Sequence, residues 1–285
     1  MKKIVLVLSA IILSIGCKAQ SDTDVNPYQE DIEKVFSYDF GFDRQMSDIY
    51  VRDGDIYCSF EIEKEDWKKW HNDFSKIATD LDASNFAMFS KEKAEKVKER
   101  IIKEMQPDSC MIYAYISNDA TIWNDIAKEQ PALKEILSSR DLKIHVSIKP
   151  YYSNDCLTTY SITRYDLDIT EKVTNEESKK TASFLYFTCY AGLAGIKGTC
   201  AVLPYEIDEY TIATKTDINN YLITFDYLLD DSLMDIPGIA EQMKEISMAQ
   251  TKLKNTRLLK YIGYKMRYVY RGKKNPKKVI SFVLD

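Results

Sequence analysis

The chain contains two histidines, which limits the catalytic mechanisms that could use a histidine base. His71 lies four residues after Trp67 and borders the apolar side of its predicted helix, so we expect a packed ring. His145 lies on the polar side of a predicted strand, between Lys143 and Ser147, and we expect it to be solvated. Neither histidine has the HExxH or cysteine–histidine spacing of a zinc site. We therefore expect no metal site and no cofactor.

Neighbouring carboxylates are the remaining candidates for catalysis, because glycosidases use a pair of Asp or Glu residues and need no histidine. Three pairs are close in the sequence: Glu61 with Glu63, Asp208 with Glu209, and Asp230 with Asp231. An acidic chain contains such pairs by chance, and Glu61 and Glu63 fit one solvent-facing edge of a strand. The sequence therefore assigns no catalytic residue.

The first residues have the pattern of an export signal. Lys2 and Lys3 precede the uncharged residues 4–15, a segment too short to cross a bilayer as a mature helix. The following Ser14, Gly16 and Cys17 resemble the lipobox of bacterial lipoproteins. That resemblance implies cleavage of the signal at residues 1–16 and acylation of Cys17. The alternative is an ordinary signal peptide with an incidental cysteine.

The lipobox resemblance implies a location in the cell envelope, with a lipid anchor in the outer membrane, on its periplasmic or its surface face. Residues 17–26 are mostly polar and are expected to form a tether between the lipid and the fold. The net charge of −5 argues against nucleic acid as a partner. Hydrophobic residues make up 45% of the chain, which is typical of a globular protein.

Five cysteines follow Cys17, and an odd count does not describe a disulfide framework. Cys58, Cys110 and Cys156 lie in or beside predicted strands, where small buried hydrophobes are expected. Cys189 and Cys200 are the pair that could form a disulfide.

In the first half, Asp53 and Gly54 separate two alternating segments, which is a strong signal for a hairpin. The spacing of Trp67, Trp70 and Phe74 predicts a helix whose apolar side packs in the core. The continuous apolar run at residues 110–116 predicts a buried strand followed by a helix. Residues 143–149 and 156–165 predict a second hairpin.

In the second half, residues 181–196 contain no charge and predict a buried helix that begins near Asn175. Strands are expected at residues 200–207, 210–215 and 220–229, and a helix is expected from Asp235 to about residue 260. Residues 265–271 and 278–284 predict a last hairpin.

These elements predict an α+β fold with antiparallel sheets covered by helices. Residues 58–62 align with residues 223–227, and residues 144–148 align with residues 266–270, with the same alternation of polar and apolar side chains. We therefore expect two related α-β-β-α-β-β units. The first spans residues 27–168 and contains an inserted strand and helix, and the second spans residues 169–285.

Charge is unevenly distributed along the chain. Residues 246–284 contain eleven basic and no acidic residues, whereas residues 17–245 contain 26 basic and 43 acidic residues. The basic segment could be held against the acidic body. Alternatively, the tip of the last hairpin, residues 272–278, could bind an anionic lipid or polysaccharide through Lys273, Lys274, Lys277 and Lys278.

Two functions from different classes remain after these observations. The first is a membrane-anchored, non-enzymatic binding module for a glycan, a peptide or a protein. The alternative is a carboxylate-dependent hydrolase of envelope or dietary polysaccharide. Two carboxyl groups facing each other in a cleft would favour the hydrolase, and a shallow aromatic or charged face would favour binding.

Overall fold

The computed structural model describes residues 28–83, 88–153, 155–251 and 254–285. The predicted signal, Cys17 and the tether lie outside these residues. The described residues form two sheets, of four and five strands, packed with helices. This architecture confirms the predicted α+β class.

The first sheet consists of two hairpins joined side by side. Its strands, in spatial order, are β1 (Gln45–Arg52), β2 (Asp55–Ile62), β3 (Lys143–Pro150) and β4 (Thr158–Thr163). The outer pairs are antiparallel, and the central strands β2 and β3 are parallel. Asp53 and Gly54 form the predicted tight turn, both with positive φ, which is the conformation that a two-residue hairpin requires.

Among the described residues, the first half contains five helices: α1 (Gln29–Val35), α2 (Lys64–Ala83), α3 (Lys91–Glu104), α4 (Pro107–Glu129) and α5 (Pro131–Leu137). The strand predicted at residues 110–116 is wrong, because this run lies in the first turns of α4. Pro107 begins that helix, and Cys110, Met111, Ala114 and Tyr115 are all buried. A helix surrounded by other elements is apolar on most sides, so its sequence resembles that of a buried strand.

The helix α2 has the predicted apolar stripe, but its two tryptophans lie at the margin of the core. Phe74 is buried, whereas Trp67 and Trp70 are half-buried. The indole Nε1 of Trp70 donates a hydrogen bond of 2.9 Å to Oδ2 of Asp43. The polar end of the indole therefore keeps an acceptor near solvent while the rings pack inward.

The second half begins with the helices α6 (Arg164–Glu176), α7 (Lys179–Ser183) and α8 (Leu185–Thr199). The single helix expected from Asn175 is thus two helices, which meet at Phe184, and Asn175 lies near the end of α6. The strand expected at residues 200–207 is a short 3-10 helix, Cys200–Val202, followed by the two-residue strand β5 (Tyr205–Glu206).

The second sheet contains β5 and then β6 (Thr211–Asn219), β7 (Leu222–Leu229), β8 (Lys265–Gly272) and β9 (Val279–Leu284), in that spatial order. The helices α9 (Asp231–Met234), α10 (Ile239–Thr251) and α11 (Lys254–Leu259) connect β7 to β8. The strands β7 and β8 are parallel, and the pairs on either side of them are antiparallel. The strands β6–β9 therefore repeat the order and directions of β1–β4.

Two of the described helices, α6 and α8, contribute to both cores. In α8, Phe187 and Ala191 pack in the first core, and Leu185 and Cys189 pack in the second. A Cβ atom added at Gly198, near the end of α8, would lie 2.5 Å from Cγ1 of Ile101, so glycine permits the close approach of α8 to α3. No helix of the described residues is long and apolar enough to cross a membrane.

The helix α6 runs through the predicted boundary between residues 168 and 169. Leu167 packs in the first core, whereas Ile169 and Val173 pack in the second. The two halves are thus joined by shared helices as well as by the chain.

Candidate functional site

The two faces of the first sheet differ in chemistry. Ile56, Phe60 and Ile144 are buried against the helices. Alternate residues of the same strands point to the opposite side, where polar side chains are exposed or half-buried. We call this side the polar face and define it by Asp48, Tyr50, Asp55, Tyr57, Ser59, His145, Ser147, Lys149, Thr159 and Ser161.

A cavity of about 670 Å³ opens on the polar face, and every residue of that face except Asp55 lines it. The lining offers hydroxyl groups, the His145 ring, one carboxylate from Asp48 and one ammonium from Lys149. The lining therefore lacks the two facing carboxyl groups that a glycosidase of the common type requires.

One row of side chains crosses all four strands. Tyr50, Tyr57, His145 and Ser161 are direct partners in the register of β1, β2, β3 and β4. The rings of Tyr50 and Tyr57 are stacked with centroids 5.1 Å apart, and those of Tyr57 and His145 with centroids 4.6 Å apart. Because each ring rests on its neighbour, the row fixes the plane of the imidazole.

His145 makes a hydrogen bond through each of its ring nitrogens. Its Nε2 lies 3.1 Å from Oδ2 of Asp55, and its Nδ1 lies 3.3 Å from Oγ of Ser161. His145 thus lies on the polar side of its strand, as expected, and is half-buried with a protein partner for each ring nitrogen. Its partners, Asp55 on β2 and Ser161 on β4, flank β3 only after the sheet has formed.

Asp55 is itself held in place. Its Oδ1 accepts a hydrogen bond of 3.0 Å from the backbone N–H of Lys143. Burial acts to raise the pKa of Asp55, but the hydrogen bonds from His145 and Lys143 outweigh this effect, so the pKa lies below its ordinary value. The carboxylate is thus ionised and oriented toward the imidazole.

A buried ion pair lies on the core side of the same sheet. The Nη2 of Arg44 donates to Oδ1 of Asp119 at 2.7 Å, and both side chains are fully buried. Arg44 also donates to the hydroxyl of Tyr160 at 2.9 Å and to the carbonyl oxygens of Phe40 at 2.7 Å and Gly41 at 3.3 Å. This network joins β4, α4 and the loop before β1, and we assign it a structural role.

The remaining sequence candidates do not form a site. The ring of His71 is half-exposed, and its Nε2 lies 3.2 Å from Oδ1 of the exposed Asp108. The described residues contain no cluster of His, Cys, Asp and Glu side chains suited to a metal.

The predicted carboxylate pairs serve other purposes. Asp208 and Asp230 accept backbone N–H groups two residues ahead of them, and Asp231 accepts those of Lys274 and Asn275. Glu61 lies opposite Lys149 in the register of β2 and β3. None of the six candidate carboxylates lines the cavity on the polar face.

The tip of the last hairpin has two kinds of lysine. The Nζ of Lys273 donates to the carbonyl oxygen of Glu209 at 3.2 Å, and Lys278 forms an ion pair with Asp235 at 2.5 Å. Lys274 and Lys277 are exposed, and among the described residues no carboxylate lies within 4.0 Å of either ammonium. The four lysines are therefore not equivalent.

The five cysteines that the structure describes all have free thiols, so Cys189 and Cys200 do not form a disulfide. Cys58 and Cys110 are buried, as expected, whereas the expectation that Cys156 is buried is wrong, because its side chain is exposed. Cys189 is buried as well. Burial raises the pKa of the Cys189 thiol to about 12.

No protein-family model matches this chain, and no curated protein or solved structure was found to be similar to it. The chemistry of the polar face is therefore the basis on which a function can be proposed.

Proposed function

We propose that the protein is a lipid-anchored envelope lipoprotein whose polar face binds a glycan. The observation that carries this proposal is the row of Tyr50, Tyr57, His145 and Ser161 at a cavity of about 670 Å³, a volume within the range of small-molecule sites. Hydroxyl groups both donate and accept hydrogen bonds, so a lining rich in them complements a ligand rich in hydroxyl groups.

The same lining is less suited to the other ligands considered. A protein interface generally buries an apolar centre, whereas the one aliphatic residue in this lining, Val146, is itself buried. A peptide that extends a sheet uses the free backbone groups of an edge strand. In this sheet those groups belong to β1 and β4, at its margins, and not to its face.

The fold itself does not require this row of side chains. In the second sheet, the positions that correspond to Tyr50, Tyr57, His145 and Ser161 by strand register are occupied by Asp217, Thr224, Arg267 and Val283. The same arrangement of strands is thus built with different outer residues. The two sheets thus share their strand arrangement and differ in the side chains on this face. This difference supports a ligand that is specific to the polar face of the first sheet.

Binding of a soluble glycan by the detergent-solubilised mature lipoprotein tests this proposal. A glycan array would select the ligand, and calorimetry would then compare Tyr50→Ala and His145→Ala with the matched control Arg267→Ala. We expect the first two variants to lose affinity by about tenfold or more and the control to bind as the wild type does. Absence of binding to any glycan, or equal losses in all three variants, would refute the proposal.

The anchor is part of the proposal and depends on the lipobox resemblance at Cys17. A lipid at this position would anchor the protein in the outer membrane. The protein would then lie on either the periplasmic or the surface face of that membrane. Residues 17–26, the expected tether, would then connect the lipid to the fold.

A second candidate function concerns the tip of the last hairpin. We propose that Lys274 and Lys277 bind anionic groups, either phosphates of lipids or acidic groups of a polysaccharide. Their exposure and the lack of a described acidic partner within 4.0 Å support this role, whereas Lys273 and Lys278 already have partners in the protein. Sensitivity to salt is the expected property of such binding.

A further inference from the structure

We propose that Ser161, His145 and Asp55 together hydrolyse an ester, with Ser161 as the nucleophile, His145 as the general base and Asp55 as a positioning residue. This activity goes beyond binding. It rests on the proposed function only in the nature of its substrate, an O-acyl ester carried by the bound glycan.

The two hydrogen bonds of His145 define the roles. The carboxylate of Asp55 can only accept, so Nε2 of the imidazole carries the proton in this contact of 3.1 Å. The neutral ring then has an unprotonated Nδ1, which lies 3.3 Å from Oγ of Ser161 and can accept its proton. A serine, a histidine and a carboxylate connected in this order form the arrangement that activates a serine nucleophile on several unrelated folds.

The imidazole is held on several sides. The Tyr57 ring stacks on it, and Asp55 is fixed by the backbone N–H of Lys143, so rotation of the imidazole away from Ser161 is opposed. The distance of 3.3 Å is longer than an ideal hydrogen bond, as is common in catalytic pairs without substrate.

The nucleophile is accessible to a ligand. Ser161 is exposed and lines the cavity of the polar face, together with the hydroxyl groups of Ser147 and Thr159. Ser147 and Thr159 are partners in the next row of the β3–β4 pair, beside His145 and Ser161. Their hydroxyl groups are candidates to donate hydrogen bonds to the developing oxyanion, and that of Ser147 also lies 2.8 Å from the hydroxyl of Ser59.

The reaction has two balanced steps. In the first, Oγ of Ser161 attacks the acyl carbon, its proton moves to Nδ1 of His145, and the C–O bond to the alcohol breaks as the alcohol oxygen takes that proton. In the second, water attacks the acyl-serine, its proton moves to Nδ1, and the acid leaves as Oγ is reprotonated. The net reaction consumes one water and requires no oxidant, reductant or metal.

A fluorophosphonate probe tests the nucleophile directly, because it reacts covalently with activated serines. We expect labelling that peptide mapping locates at Ser161 and that Ser161→Ala abolishes. Hydrolysis of p-nitrophenyl acetate should fall by about 10²-fold or more in Ser161→Ala and His145→Ala. The matched control is Ser281→Ala, which removes another exposed serine, on the edge strand β9.

The role of Asp55 needs a different measurement. We expect Asp55→Asn to lower kcat with little change in KM, and Asp55→Glu to restore part of kcat, while circular dichroism shows that both variants fold. An equal loss in both, accompanied by loss of folding, would mean that Asp55 is only structural and would overturn its assigned role.

The outcomes separate the inference from the proposed function. If the wild type binds a glycan but is not labelled at Ser161 and hydrolyses the ester no faster than Ser161→Ala, the triad is refuted and the binding proposal stands. Labelling and Ser161-dependent hydrolysis without any glycan binding would support the triad and refute the proposed ligand.

Discussion

The hydroxyl groups of Ser47 and Thr214 make the same hydrogen bond in the two sheets. Oγ of Ser47 donates to the carbonyl oxygen of Ser59 at 3.3 Å, and Oγ1 of Thr214 donates to that of Asp226 at 3.0 Å. In each case the acceptor lies 12 residues ahead on the neighbouring strand, and the donor lies where its own strand bulges. The bulge therefore lies at the same position relative to the turn in both hairpins, so the two hairpins share their register.

The turns of these hairpins correspond in the same way. Asp53 and Gly54 have positive φ in the first turn, and Asn220 and Tyr221 have positive φ in the second. Tyrosine rarely adopts this conformation, so its presence reflects the demand of a two-residue turn. Matching turns, bulges and strand directions support the predicted duplication of an α+β unit. Along β2 and β7, the alignment given by these turns differs from the predicted alignment by two residues. A shift of two residues keeps the alternation of the side chains unchanged.

The first prediction concerns the buried ion pair. Asp119→Asn should lower the free energy of unfolding by about 3–5 kcal/mol, because it leaves the buried Arg44 guanidinium without a counter-charge. Chemical denaturation would measure the change. The control Glu92→Gln breaks an exposed ion pair with Lys96 and should leave the stability unchanged within error. Equal effects of the two substitutions would contradict the structural role assigned to the buried pair.

The second prediction concerns thiol reactivity. In the folded Cys17→Ser variant at mildly alkaline pH, a thiol reagent should modify Cys156 quickly, because its side chain is exposed. Cys189 should react only after denaturant is added, since burial blocks access and raises its pKa to about 12, so almost no thiolate forms. Mass spectrometry of the labelled peptides would distinguish the sites. Rapid modification of Cys189 in the native protein would contradict its burial in the second core.

The third prediction is acylation at Cys17, which follows from the lipobox resemblance. Metabolic labelling with a fatty-acid analogue should mark the wild-type protein and not Cys17→Ser. Cys156→Ser is the matched control, since it removes an exposed cysteine of the folded protein and should be labelled fully. A mature protein that begins elsewhere, or that is labelled equally in all three forms, would refute this prediction.

The fourth prediction separates the lysines of the last hairpin. In the soluble Cys17→Ser form, changing Lys274 and Lys277 to Gln should reduce retention on phosphatidylglycerol vesicles more than changing Lys273 and Lys278, because the second pair already contacts the protein. Retention of the wild type should fall as salt is added, since screening weakens contacts between exposed charges.

Two further arms of this experiment identify the anionic ligand. Phosphatidylcholine vesicles test whether lipid charge is needed, and an acidic polysaccharide matrix tests the other source of anionic groups. If both pairs of substitutions have the same effect, or if salt has none, the tip is only a solvated turn.

The sequence by itself determined features that depend on local interactions. Alternation over a few residues predicted the hairpins, and Asp53 with Gly54 predicted the first turn, because only a few residue types adopt positive φ without strain. The α+β class followed from this alternation in the strands and from the helical spacing of apolar residues between them. The repeat was visible for the same reason, since each strand pattern records which of its faces is buried.

The tertiary structure decided everything that depends on which faces meet. The run at residues 110–116 is apolar whether it forms a strand or a helix, and only its packing among other elements makes it part of α4. The partners of His145 could not be predicted because they are distant in sequence, with Asp55 being 90 residues earlier. The parallel pairing of β2 with β3, and the register of β4 on β3, bring Asp55 and Ser161 to the two sides of its ring. The partners of an outward-facing side chain are thus decided by how the strands pair, and the sequence of its own strand does not contain this information.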